Sequence, residues 1–171
     1  MAKTLITWPN GSTDGEREAK ALQALYPTVS HWVDGSALGT VSGTDYRMLI
    51  VVGHREEIEA QPVLKALAEC IKALGATHVV MANCNSGQTK TGGTLSDFNE
   101  LWSPAQRVAN ATGAAVAATT RVLLFTEVGK GTAFGQGDDG ITPINPVGET
   151  LWKEFRKQSD IDEITEGMSN L

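Results

Sequence analysis

Apolar and polar residues recur along this chain with two different periods, and the switches between them outline its elements. Residues 4–8 are a short β-branched and aromatic run closed by Pro9, Asn10 and Gly11, which predicts a first strand and a turn. Over residues 16–26, Ala19, Leu22, Leu25 and Tyr26 recur at helical spacing, and Pro27 ends the run. A second short strand is predicted over residues 29–33, followed by a Gly-, Ser- and Thr-rich loop to Asp45. Residues 46–53 carry the strongest strand signal, because a continuous apolar run suits a strand covered on both faces.

Residues 58–74 predict a helix with Leu64, Leu67, Ile71 and Leu74 on one stripe, and Gly75 stands where its C-cap belongs. The next strand is expected at 77–83, and a long polar loop at 85–102. Ser103, Pro104 and Gln106 announce a helix as N-cap, first-turn proline and capping-box partner, and that helix should end at Gly113. Residues 114–118 and 121–128 read as two further strands. A flexible acidic loop is expected from Gly129 to Gly140, then a last amphipathic segment over 149–157. Strands alternating with helices predict an α/β fold, a three-layer sandwich with a mostly parallel central sheet. The expected organisation is one domain over residues 1–158 and an acidic tail over 159–171, thinly apolar and partly disordered.

Two of these strands end alike. The run Leu49 to Gly53 delivers His54, and the run Val79 to Asn83 delivers Cys84, with a helix between them. A right-handed crossover places both strand ends on one side of a parallel sheet, at the carboxyl edge where open α/β sheets bind ligands. A thiol beside an imidazole is the minimal equipment for nucleophilic acyl transfer. Cys70 belongs to the helical stripe and reads as core, whereas Cys84 is followed by Asn85, Ser86 and Gly87, a loop able to expose a thiol. His31 sits in a short strand and His78 opens a strand at the opposite edge, so neither is assigned chemistry.

Composition narrows the choice. Two cysteines are too few for a disulfide framework, and three histidines without CxxC or HExxH spacing give no basis for a metal site. A formal charge of −6 without a basic patch argues against nucleic acid as a partner. The absence of a spanning apolar stretch and of a signal-peptide core leads us to expect synthesis in the cytoplasm and no membrane association, with specialised secretion as an open alternative. Cys84 to Lys90 has the spacing of a phosphate cradle but lacks its arginine, and the glycines of residues 129–140 fit neither a P-loop nor a dinucleotide fingerprint.

The order of apolar strand, His54, helix, apolar strand and Cys84 resembles the caspase-like (clan CD) cysteine peptidases, in particular bacterial members. Ala82-Asn83-Cys84-Asn85-Ser86-Gly87 is close to their cysteine motif, and Val116 to Thr120 fits the strand that follows it. The resemblance covers residues 46–120, with 5–11 as the matching first strand. It implies a peptide or protein substrate, no cofactor, Cys84 as nucleophile and His54 as general acid and base. The backbone N–H groups of Cys84 and Arg55 would hold the oxyanion, and Thr119, Thr120 and the loop after Gly129 would line the substrate pocket. The family usually carries glycine after the histidine, where this chain has Arg55. That residue either lends the thiol a positive field or is a solvated strand-end charge. Three functions follow: an active amide hydrolase, an inactive caspase-like binding or assembly module, or an unrelated α/β binding protein.

Overall fold

The computed structural model describes residues 4–32, 46–84, 87, 103–130, 132–137 and 140–158. In chain order the elements are β1 (Thr4–Thr7), α1 (Thr13–Leu25), β2 (Ser30–Trp32), β3 (Met48–Val52), α2 (Arg55–Ile58), α3 (Gln61–Leu74) and β4 (His78–Ala82). They continue with α4 (Pro104–Thr112), β5 (Ala115–Ala118), α5 (Phe125–Gly129), β6 (Phe134–Gln136), β7 (Ile141–Pro143) and β8 (Lys153–Phe155). The central sheet has the order β2-β1-β3-β4-β5-β8. Every pairing in it is parallel except the last, between β5 and β8. The protein is therefore α/β, with a mostly parallel six-stranded sheet between helices.

Strand periodicity builds the two outer layers. Leu5, Leu49, Val51, Val79, Met81, Val116 and Ala118 share a core with α3 and α4. Their neighbours in sequence, Ile6, Ile50, Val52, Val80, Ala82 and Ala117, face the other way, toward α1, α5 and the β6–β7 hairpin. Because both faces are covered, these strands read as unbroken apolar runs. Burying one such side chain contributes roughly 1.5–3 kcal/mol, and cutting Ile50 back to alanine in a packed core costs about 2–5 kcal/mol.

Several boundaries differ from expectation for identifiable reasons. Helix α1 starts at Thr13 because the Ser12 Oγ accepts the Gly15 N–H, a cap that precedes the apolar periodicity. The helix expected over 58–74 is α3, starting at Gln61 with Pro62, which lacks an N–H, in its first turn, and the short α2 precedes it. Gly75 and Gly113 end α3 and α4 in the left-handed conformation, at φ 67° and 76°. Ser103 caps α4 as expected, but Gln106 donates to Asn110 and to the Arg156 carbonyl, so its amide ties α4 to the segment after β8. Residues 121–128 are not a strand: they run irregularly to Leu124 and then turn into α5. The expected loop at 129–140 holds β6 and the turn into β7, and the segment 149–157 contains β8. The loop to Asp45, nearly all of the loop at 85–102, and the tail at 159–171 lie outside the described residues. Among the described residues no helix is long and apolar enough to cross a membrane.

Strand order matters for the site. From β1 the chain moves outward to β2, then returns across β1 to β3 and continues the other way to β4 and β5. The reversal puts the topological switch point of a doubly wound sheet, where such sheets bind ligands, at the carboxyl ends of β1 and β3.

Candidate active site

His54 stands at that switch point. Strand β3 ends at Val52, Gly53 packs against the Pro9 ring, and His54 is the N-cap of α2 with an extended backbone. A Cβ on Gly53 would come within 3.0 Å of Pro9 Cδ, so a side chain here would push the two strand ends apart. The His54 N–H donates to Glu57 Oε1 at 2.7 Å, and the Ser12 hydroxyl donates to the same oxygen at 2.8 Å. Glu57 thereby joins the start of α1 to the histidine turn.

Asp14, in the first turn of α1, places Oδ2 3.0 Å from His54 Nε2. This bond to the imidazole, aided by the nearby Arg17 guanidinium, holds the Asp14 carboxyl below the usual carboxylate range despite the opposing effect of burial. An ionised carboxylate only accepts hydrogen bonds, so in the neutral ring Nε2 carries the proton and Nδ1 is the acceptor. The Phe125 ring meets the imidazole edge to face, with centroids 4.8 Å apart.

Cys84 leaves the adjacent strand in step with His54. Val52 pairs with Ala82 across β3 and β4, and the two candidate residues each follow two positions later. The strand axes are roughly 4.8 Å apart, so both residues emerge at one edge on neighbouring strands. Among the described residues the half-buried thiol bonds to Leu123: its S–H donates to the Leu123 carbonyl at 3.5 Å, and the Leu123 N–H donates to Sγ at 3.4 Å. Leu123 and Phe125 belong to one short segment, which thus touches both members of the pair.

Thr119 and Thr120 lie beside the loop that follows the cysteine. The Gly87 N–H donates to the Thr119 carbonyl at 3.0 Å, and a Cβ on Gly87 would sit 3.2 Å from Thr120 Cγ2. Thr119 is buried, with its hydroxyl accepting the Arg121 N–H, and Thr120 is half-buried. Arg55 is not a solvated charge: it is 2% exposed, and its Nε donates to Glu59 at 2.8 Å. The Glu59 carboxylate, one helical turn away, gives this buried cation an opposite charge.

The other candidate groups separate from this edge. Cys70 is buried in α3, and burial pushes its thiol up to about 11. His31, on β2, bonds the Tyr46 hydroxyl, and His78, at the start of β4, bonds Thr77. Among the described residues no group of three or more His, Cys, Asp or Glu is placed to hold a metal ion. A cavity of about 640 Å³ opens at the amino ends of the strands, lined in part by Met48, His78, Ala117, Ile141 and Trp152. It contains neither the thiol nor His54.

Sequence reasoning missed Asp14, Glu57, Leu123 and Phe125. An acid in the first turn of a helix is ordinary, since it complements the helix dipole, and so Asp14 carries no signal of its own. Compared with models of known protein families and with curated proteins, the chain matches none.

Proposed function

We propose that this protein is a cysteine-dependent amide hydrolase of caspase-like type, acting on a peptide or protein substrate. The observation that carries this reading is the Asp14–His54 bond at the same sheet edge and one strand away from Cys84. The orienting carboxylate on the base matches the part of a triad in which a third group fixes the ring, and Cys84 is the proposed nucleophile.

The steps follow from that arrangement. His54 Nδ1 takes the proton of the Cys84 thiol, and the thiolate attacks the scissile carbonyl carbon. The C=O π electrons move to oxygen, where the backbone N–H groups of Cys84 and Arg55 are the candidate donors, each worth about 3–4 kcal/mol at the transition state. Collapse of the tetrahedral adduct breaks the C–N bond, and His54 passes its proton to the departing amine. Water then attacks the thioester, gives a proton to Nδ1, and releases the acid with the thiol restored. Thr119 and Thr120 are the residues proposed to line the substrate pocket. Synthesis in the cytoplasm, with neither nucleic acid nor membrane as partner, belongs to the same reading.

An inactive binding or assembly module is the second reading. The Leu123 bonds favour it, because they occupy the thiol. Two measurements separate the readings. Iodoacetamide at neutral pH should modify Cys84 well before Cys70, and His54→Ala should slow that modification about 10²-fold or more. Peptide or self-cleavage by the wild type that disappears in Cys84→Ala supports the enzyme. Equal, slow labelling of both cysteines with no cleavage leaves the module.

A further inference from the structure

We propose that residues 121–128 are a strap that covers the Cys84 thiol, and that releasing it is what makes the site reactive. The inference rests on Cys84 being the nucleophile proposed above, and concerns what governs it.

The strap meets the site at two points, Leu123 on Cys84 Sγ and Phe125 on the His54 ring. Its inner side is anchored by Leu123 and Val128, both buried, while Val122 and Leu124 are more than half exposed on the outer side. Arg121 closes it into a turn, giving a two-pronged bond to the Glu127 carboxylate at 3.0 and 2.7 Å and another bond to the Val122 carbonyl. The Leu124 N–H also donates to Glu127, at 3.1 Å. Among the described residues, one ion pair from Arg121 reaches outside the strap, to Glu149 ahead of β8. The pairs raise the Arg121 pKa and keep Glu127 ionised below the usual carboxylate range.

The sulfur's partners explain why this arrangement restrains chemistry. A neutral thiol can donate to the Leu123 carbonyl, but a thiolate cannot, and would then face that oxygen as a second acceptor. Attack by the sulfur therefore requires it to give up its bond to the Leu123 carbonyl. A substrate carbonyl must also approach Sγ from a direction that the Leu123 backbone now partly fills. Moving the strap outward removes both obstacles at once. It frees the imidazole from Phe125 in the same motion.

Glu149→Ala tests this, because Glu149 touches neither member of the pair and its bond to Arg121 lies at the surface. An exposed ion pair contributes about 0.2–1 kcal/mol, so the variant should raise the iodoacetamide rate at Cys84 up to about fivefold. Arg121→Ala, which also frees Glu127, should raise it further, with far-UV circular dichroism and melting temperature reporting that the fold persists. Hydrogen exchange at the Leu123 amide should quicken in parallel. Unchanged Cys84 rates in both folded variants overturn the strap, as does faster exchange at Leu123 without faster alkylation. Adding His54→Ala separates the two proposals: a rise on loosening that is equally large without the imidazole keeps the strap but removes the assigned base.

Discussion

At the scale of single residues, the decisive contact is Asp14 on His54. Asn at position 14 keeps the shape but can present its N–H₂ to the ring, which frees the imidazole to adopt the wrong tautomer. Asp14→Asn should therefore lower Cys84-dependent cleavage or alkylation on the order of 10²-fold, the scale of a lost general base. The same variant carries a pH signature. Because the folded-state pKa of Asp14 lies below its unfolded value, the pair stabilises the fold above the ordinary carboxylate range and loses that effect as pH falls through the lowered value. The melting-temperature gap between wild type and Asp14→Asn should thus hold steady from neutral pH to roughly pH 4 and close in more acid solution. His54 and Cys84 were legible as candidates because each ends an apolar run. Asp14 was not, because its role depends on where α1 lands relative to β3.

Among the elements, α1 determines whether that contact exists. It approaches the end of β3 through Gly15, where a Cβ would meet the Val52 carbonyl at 2.5 Å and the Ser12 Oγ at 2.6 Å. Alanine is about 1 kcal/mol the better helix former, yet the clash is with backbone that cannot swing aside. Gly15→Ala should be net destabilising by about 1–3 kcal/mol in urea denaturation, and should slow Cys84 alkylation by shifting Asp14 from His54. Local periodicity identified α1, α3, α4 and the inner strands, since each presents a stripe or run to a core. It failed at residues 121–128, where Leu123 and Val128 are buried but Val122 and Leu124 are not. An apolar run there reads as a strand, whereas the Arg121 pairs with Glu127 bend it into a turn that no hydropathy pattern records.

For the molecule as a whole, the last strand secures the edge on which the site depends. Strand β8 runs antiparallel to β5, and Phe155 enters the core shared by α3 and α4. Its ring also closes on Gly87, where a Cβ would lie 2.9 Å from Cζ. Phe155→Ala should cost about 3–5 kcal/mol in thermal or urea unfolding, and should quicken hydrogen exchange at the Gly87 amide, which bonds Thr119. The contribution of β8 was hidden because its three residues are too few for a periodic signal.

The sequence by itself determined the α/β class, the two-sided burial of the sheet, and the emergence of His54 and Cys84 at one edge. These follow from side-chain period and crossover handedness, which act over one element and its successor. Only the tertiary structure decided what surrounds the pair: Asp14 on the ring, Leu123 on the thiol, Phe155 on Gly87. Asp14 and His54 are 40 residues apart, and Cys84 and Leu123 are 39 apart. Contacts across such separations arise when packed elements bring chain segments together, and neither segment needs a distinctive pattern of its own to make them.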